Sequence, residues 1–171
     1  ERNADRARVA LDALRKQLKD ITPDVLIWEG QVAELEGALP AAVAAYQQAF
    51  TRAPGSALVR RLTQTQWRAG ERELAVQNLE QWVREHPGDI APQLELAQRY
   101  LDLGHAEAAI AQYERILKGE PDNVLVLNNL ASLLGETDAD AALKYAERAY
   151  ALAPQAGPVI ETLLEAKLRT G

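Results

Sequence analysis

Apolar residues recur along this 171-residue chain at the period of an α-helix. Ala7, Leu11, Leu14 and Leu18 follow one another at intervals of four, three and four residues, which places them on one face of a helix. Similar segments follow, separated by short stretches that are rich in glycine, proline and polar residues. The pattern predicts ten helices, at about 3–19, 24–36, 40–52, 56–69, 72–86, 90–103, 106–119, 123–135, 138–152 and 157–171.

Proline ends every second helix at a nearly constant period. Pro54, Pro87, Pro121 and Pro154 are 33, 34 and 33 residues apart, and Pro23 lies 31 residues before Pro54. A proline disfavours the helical conformation at the residue before it, so each unit closes at its proline. The repeating unit is therefore a pair of helices of about 34 residues.

Glycine and capping residues mark the turns inside and between these units. Gly37, Gly70 and Gly104 close the first helix of three units, where a left-handed backbone conformation is commonly needed. Pro40 fits the first turn of the helix that follows Gly37. Side-chain oxygens predict helix N-caps at Thr22, Ser56, Asp89, Asp122 or Asn123, and Asp138.

Small and large residues occupy fixed places when each closing proline is numbered 32. Position 8 is Gly30, Thr63, Ala97 and, after a turn one residue shorter, Ala131; position 20 is Ala42, Ala75, Ala109 and Ala142. Position 24 is Tyr46, Leu79 and Tyr113, whereas position 27 is Ala49, Trp82, Ile116 and Ala149. These residues resemble the tetratricopeptide repeat (TPR), and the resemblance covers essentially the whole chain.

The resemblance implies an all-α fold, a right-handed α-solenoid of TPR helix-turn-helix repeats. We expect a single array in which a half-repeat lies at 3–21, four repeats at 23–54, 56–87, 90–121 and 123–154, and a second half-repeat at 157–171. Because the chain does not begin with methionine, we expect a fragment or a processed product, and any signal peptide or lipid anchor would lie upstream.

Composition and charge exclude several classes of function. The net charge of −6, with no stripe of lysine and arginine, disfavours nucleic acid. No apolar stretch approaches the ~20 residues that cross a bilayer, so no membrane insertion is expected for this segment. The chain has no cysteine, and His86 and His105 have no metal-ligand spacing. We expect no metal, no cofactor, no catalytic residue and no enzymatic activity.

A narrower resemblance concerns two short sequence segments in the fourth repeat. Residues 127–131, LNNLA, and 139–146, ADAALKYA, are similar to large bacterial TPR lipoproteins of the exosortase/PEP-CTERM and exopolysaccharide-export systems. That similarity implies a scaffold that is periplasmic or membrane-anchored on the periplasmic side. The alternative is a cytoplasmic location.

The family resemblance also implies where a partner binds. In TPR proteins the first (A) helix of each repeat lines a concave face, with positions 2, 5, 9 and 12 directed towards it. These positions give Ile27, Gln31, Glu34, Arg60, Gln64, Trp67, Leu94, Gln98, Leu101, Asn128 and Ser132, with Glu161 and Glu165 on the last helix.

Trp67 is the strongest candidate for an anchor residue on that face, because tryptophan is enriched at binding hot spots. The alternative is that Trp67 packs against a neighbouring helix and has a structural role. Trp28 and Trp82 are expected in the core. Two interpretations are open for the glutamines at position 9, which are Gln31, Gln64 and Gln98. They form hydrogen bonds to a bound partner, or they are ordinary solvated residues of the helix surface. Only Arg60 and Asn128 are of the types that a carboxylate clamp uses, so binding of a chaperone C-terminus is not expected.

We therefore expect a scaffold for protein–protein interaction that binds a protein or peptide partner along the A helices. A second hypothesis is that this face guides a polysaccharide during export. A third is that the segment is a spacer within a longer superhelix. Apolar surfaces at its two ends would then favour end-to-end self-association of the fragment.

Overall fold

A computed structural model describes residues 2–18 and 20–171 and confirms the all-α fold: this part of the chain contains ten helices and no strand. The predicted helix bounds agree with the observed ones to within two residues; Lys19 lies outside the described residues. The helices are α1 (Arg2–Gln17), α2 (Pro23–Leu35), α3 (Leu39–Arg52), α4 (Ser56–Arg68), α5 (Arg72–Glu85), α6 (Ile90–Asp102), α7 (Ala106–Gly119), α8 (Val124–Leu134), α9 (Ala139–Leu152) and α10 (Gly157–Thr170).

The turns that follow α2, α4 and α6 have the predicted left-handed glycine. Gly37, Gly70 and Gly104 have φ angles of 72°, 87° and 78°. The backbone N–H after each glycine donates to a carbonyl five residues earlier, as from Ala38 to Ala33 over 2.8 Å, and so satisfies the end of the helix. The turn after α8 differs, because Gly135 keeps a right-handed conformation with φ of −53°.

Three of the predicted helix caps are confirmed. The side chains of Thr22, Asn123 and Asp138 each accept a hydrogen bond from the backbone N–H three residues ahead, over 3.4, 3.1 and 3.0 Å. Each bond satisfies one of the backbone donors that a helix leaves unpaired in its first turn.

The predicted cap at Ser56 is wrong. Gly55 occupies the N-cap of α4, and Ser56 is already the first helical residue. The Ser56 hydroxyl instead donates to Asp89 Oδ1 over 2.9 Å. A carboxylate accepts a stronger hydrogen bond than a neutral partner does, which explains why the hydroxyl turns towards it.

The chain consists of two compact units, one that ends at Pro92 and one that begins at Gln93, so the division falls within α6. In the first unit α2 packs on α3, and the ring of Tyr46 lies against Gly30. The small residue at position 8 and the large one at position 24 are thus packing partners. The buried core here contains Leu26, Ala33, Ala42, Tyr46, Ala49, Leu58 and Leu62.

In the second unit α8, α9 and α10 pack around two small apolar clusters. One joins the three helices through Ala131, Ala146, Leu163 and Ala166. The other contains Leu127, Ala149 and Val159. Alanine side chains at these contacts allow the helix backbones to approach closely.

Trp82 is a core residue, as predicted, with 7% of its surface exposed. Its ring lies 5.7 Å from that of Phe50 and stacks on His86 at 3.8 Å. Its indole Nε1 donates to Asp89 Oδ2 over 2.8 Å, so the polar edge of the buried ring is satisfied. Asp89 thereby links the end of α5 to the start of α4.

The prediction that Trp28 belongs to the core is wrong, since 47% of its surface is exposed. Trp28 is the sixth residue of α2, and its neighbours on the same face, Val25 and Val32, are buried against Leu11 of α1. The larger Trp28 ring lines a groove beside α1 and keeps about half of its surface exposed.

Candidate functional site

The predicted binding residues of the first unit lie on two helices. Ile27, Gln31 and Glu34 belong to α2, and Arg60, Gln64 and Trp67 belong to α4. We call these six residues the α2–α4 surface. Gln64 is exposed and the other five are half-buried, so every member retains some contact with solvent.

Glu34 is the best-connected residue of the α2–α4 surface. Its Oε2 accepts a hydrogen bond from the Tyr46 hydroxyl over 2.8 Å. Its Oε1 accepts from Thr65 Oγ1 over 3.2 Å and from Arg68 Nη1 over 2.6 Å. Arg61 Nη1 lies 3.6 Å from Oε2. One carboxylate thus joins α2 to both α3 and α4.

This arrangement changes the ionisation of the tyrosine. Burial disfavours the charged phenolate and raises the pKa of Tyr46 well above its ordinary value. The hydrogen bond to the Glu34 carboxylate raises that pKa further, because it favours the protonated hydroxyl as donor. The hydroxyl therefore stays protonated and acts as a structural donor at neutral pH.

Arg61 and Arg68 are functional candidates that the sequence reasoning missed. Both guanidinium groups are substantially exposed beside Glu34, and that of Arg61 also lies 5.8 Å from the Tyr46 ring centre. The predicted concave face consists of positions 2, 5, 9 and 12 of each repeat, whereas these arginines occupy positions 6 and 13. Their spacing of seven residues, two helical turns, was the available signal.

Trp67 combines the two alternatives that the sequence left open. Its side chain is half-buried, and the guanidinium carbon of Arg72 lies 5.4 Å from its ring centre. That distance is typical of a cation–π contact. Trp67 is therefore neither fully covered nor fully exposed, and its role as an anchor stays a prediction.

The predicted residues of the second unit lie on α6 and α8. Leu94 and Leu101 are half-buried, and Gln98 Nε2 donates to Asp102 Oδ1 over 2.9 Å. Ser132 Oγ lies 3.5 Å from Thr162 Oγ1. The Asn128 Oδ1 atom is buried, and no hydrogen-bond partner for it is found among the described residues.

The last helix contributes two exposed carboxylates to this list. Glu161 is exposed, and a carboxylate oxygen of Glu165 lies 3.7 Å from Arg169 Nη1. Both are surface groups, for which ion pairs contribute little to stability. They leave the exposed side of α10 largely acidic at these positions.

The described residues place few side chains where they could act in catalysis or bind a metal. His86 and His105 stand at helix ends, as predicted, at the C-cap of α5 and the N-cap of α7. Within residues 2–18 and 20–171 no three histidine, aspartate or glutamate side chains form a group that could hold a metal ion. In the same residues, each helix is too short or too polar to cross a bilayer.

Comparison with protein families gives two matches along the chain. Two models, each described as tetratricopeptide repeat, match residues 1–57 and residues 66–133. Together they cover most of the chain. No curated protein sequence matches the chain significantly.

Similar solved structures include a tetratricopeptide repeat protein from Parabacteroides merdae, 19% identical, with a TM-score of 0.76 over 87% of this chain and 60% of that one. MamA is 16% identical, with a TM-score of 0.71 over 87% and 82% of the two chains. YrrB is 15% identical, with a TM-score of 0.68 over 94% and 84%. At these identities the likeness concerns the fold, and the chain spans 60% of the length of the Parabacteroides protein.

Proposed function

The chain belongs to the tetratricopeptide repeat family, and we propose that it is a non-catalytic scaffold that binds a segment of a partner polypeptide along its A helices. The observation that carries this proposal is the α2–α4 surface. Glutamine, arginine and tryptophan side chains reach solvent there from two helices that a shared carboxylate joins.

The Glu34 contacts favour binding because they organise the surface beforehand. Glu34 holds Tyr46, Thr65 and Arg68 at hydrogen-bonding distances within the chain itself. A surface whose helices are already fixed loses less conformational entropy when a ligand binds. Gln31 and Gln64, whose amides can both donate and accept, would then orient the backbone of a bound segment.

Known structures give the proposal its class of ligand. YrrB, which shares the fold, is described as a TPR protein with an unusual peptide-binding site. A peptide is the ligand that suits this kind of surface here as well, since amide side chains match its backbone and Trp67 offers an apolar ring. The partner-binding residues of the second unit, from Leu94 to Ser132, extend the proposal to α6 and α8.

The proposal is tested by measuring how the protein binds to an immobilised array of overlapping peptides. The peptide that binds best is then titrated into the protein by calorimetry. Replacing Trp67 with alanine should weaken its binding by about tenfold or more, as is usual for an aromatic hot spot. Leu74→Ala, which truncates an exposed leucine on α5, is the matched control and should bind as the wild type does.

Circular dichroism separates a binding effect from an unfolding effect. The Trp67→Ala variant should keep its helical spectrum and its unfolding midpoint near those of the wild type. Unchanged affinity in a folded Trp67→Ala variant would contradict a role for this ring in binding, and a variant that unfolds would show that Trp67 is structural.

A polysaccharide partner in an envelope or exopolysaccharide system is the alternative that the sequence raised. The exposed ring of Trp28 is the observation that favours it, because tryptophan faces stack on sugars. Titration with neutral oligosaccharides, run beside the peptide titration, distinguishes the two ligands. A location in the periplasm, or anchored to a membrane on the periplasmic side, is proposed with either ligand, and fractionation of the producing cells would test it.

A further inference from the structure

An apolar groove runs between α1 and α2 in the first unit, and it shares one residue, Gln31, with the α2–α4 surface. Its volume is about 370 Å³, and Trp28 and Leu35 are its most exposed members. Leu35 is 62% exposed. The groove is lined by Ala7, Ala10, Leu11, Leu14, Trp28, Gln31, Val32 and Leu35.

The α1 side of the groove has the residue pattern of a surface that is covered elsewhere. Ala7, Leu11 and Leu14 have the same four- and three-residue spacing as Ala42, Tyr46 and Ala49 of α3. In α3 that row is buried against the A helix that precedes it, α2. The corresponding row of α9 is likewise buried, against α8 and α10. The groove therefore corresponds to the site at which an A helix packs in the other repeats.

The α2 side leads to the same conclusion from independent contacts. Where α2 meets α4, the twelfth residue of the first helix, Glu34, contacts the sixth, tenth and thirteenth residues of the next. Those residues are Arg61, Thr65 and Arg68. The same positions of α2 itself are Trp28, Val32 and Leu35, and all three line the groove.

The second unit repeats this register where α8 meets α10. Gly135 stands at the twelfth position counted from the start of α8, and a Cβ atom there would lie 3.0 Å from Nη1 of Arg169, the thirteenth residue of α10. Ser132, at the ninth position, approaches Thr162, at the sixth. The pairing of the twelfth residue of one A helix with the thirteenth residue of the next thus recurs in both units.

The helix that matches the groove is α10. Its twelfth residue is Leu168, which is 84% exposed. By the register above, Leu168 would contact Trp28, Val32 and Leu35. This contact would be apolar, whereas the equivalent contact between α2 and α4 pairs Glu34 with two arginines. An exposed leucine and an exposed tryptophan–leucine pair are complementary in chemistry.

A second leucine of α10 fits the α1 side. Leu164 is the eighth residue of α10 and is 58% exposed. In α2 the eighth residue, Gly30, faces the next B helix at Tyr46. By the same correspondence Leu164 would face Leu11 of α1, which aligns with Tyr46 and is a smaller side chain.

We propose that α10 of one copy of this chain docks into the α1–α2 groove of a second copy, with Leu168 against Trp28 and Leu35. Such a contact is heterologous, because it joins two different surfaces, and each dimer keeps one unused groove and one unused α10. Association should therefore proceed beyond the dimer as concentration rises. Gln31 lies both in this groove and on the α2–α4 surface, whereas the other five residues of that surface lie outside the groove.

Sedimentation velocity measures the association, over about 10 µM to about 1 mM, where contacts of modest area are populated. The wild type should sediment as monomer at the low end and as larger species at the high end. Leu168→Glu and Leu35→Glu, which both alter exposed side chains, should each be monomeric throughout. Val9→Glu, on an exposed part of α1 outside the groove, should associate as the wild type does.

Mixing the two monomeric variants gives the decisive result. Leu168→Glu keeps an intact groove and Leu35→Glu keeps an intact α10, so the mixture should form a one-to-one dimer that grows no further. A wild type that stays monomeric, a Leu168→Glu variant that still associates, or a mixture that stays monomeric would each overturn the proposal.

Cysteine cross-linking provides a check that does not depend on affinity, since the chain contains no cysteine. One copy carries Leu35→Cys and the other Leu168→Cys. Under mild oxidation the mixture should yield mixed disulfide dimers in preference to either homodimer. Homodimers formed as readily as the mixed species would overturn the assigned contact.

Discussion

At Gly30 the packing of α2 on α3 leaves no room for a side chain. A Cβ atom at this position would lie 2.6 Å from Cζ of Tyr46, closer than real Cβ atoms approach a neighbour. Tyr46 is itself fully buried, so its ring has little room to move aside. The size of residue 30 therefore limits how closely the first two helices of the repeat approach each other.

Replacing Gly30 with alanine should destabilise the protein. Overpacking costs about 1–3 kcal/mol, and the better helix propensity of alanine offsets about 1 kcal/mol of it. The free energy of unfolding, measured in urea, should fall. Gly119→Ala is the control, because that glycine ends α7 with open space around it, and its stability should not fall. Equal stability of Gly30→Ala and wild type would show that Tyr46 can move.

Between elements, the α2–α4 contact depends on polar groups as well as on apolar burial. Glu34 is largely buried, with 13% of its side chain exposed, while Arg61 and Arg68 are about half exposed. Exposed ion pairs contribute little, so the hydrogen bonds from Tyr46 and Thr65 carry more of the stability.

Replacing Glu34 with glutamine should lower the free energy of unfolding by about 1–3 kcal/mol. The substitution keeps the size of the side chain but removes the charge that accepts hydrogen bonds from Tyr46 and Arg68. Urea unfolding measures the change. The control is Glu114→Gln, an exposed glutamate on α7, which should unfold as the wild type does. Identical midpoints for Glu34→Gln and wild type would mean that apolar packing alone holds α2 on α4.

Across the whole molecule, two buried tyrosines link stability to alkaline pH. Burial raises the pKa of Tyr46 in the first unit and of Tyr113 in the second. For Tyr113 the hydrogen bond from Asn129 Nδ2 acts in the opposite direction, because it favours the phenolate. Both groups keep their protons in the folded state at a pH where the unfolded chain, with tyrosine near pH 10, has lost them.

The protein should therefore lose stability as the pH rises above about 10. In that range the unfolded state binds fewer protons than the folded state, so the free energy of unfolding decreases with pH. Urea unfolding between about pH 8 and pH 11.5 should show the decrease. Tyr113→Phe should show a shallower decrease, since phenylalanine cannot ionise. A slope equal to that of the wild type would contradict the role of Tyr113.

The helices and their turns could be predicted because local physics decides them. Gly37, Gly70 and Gly104 take a left-handed conformation that other residues rarely adopt, and Asn123 and Asp138 cap helices through their own backbone neighbours. Such effects involve residues close in sequence, so a single repeat contains the information. Recurrence of the pattern then indicated the family.

The roles of individual surface residues could be predicted less well. Trp28 and Trp82 are the same residue type, and both lie in helices of the first unit, yet one is exposed and the other buried. Phe50, His86 and Asp89 contact Trp82, whereas Trp28 lies at a groove beside α1. Phe50 belongs to α3, so the burial of Trp82 depends on how α3 and α5 pack as well as on its own helix.

The all-α fold and the helix bounds of this protein follow from its sequence, because propensity, periodicity and turn chemistry act within a few residues. The packing of the helices was needed to show that Glu34 joins α2 to α4, that Arg61 and Arg68 lie beside it, and that Trp28 lines a groove with Leu35. Those relations arise when separate helices pack, and residues 27 to 34 positions apart in sequence then share one contact.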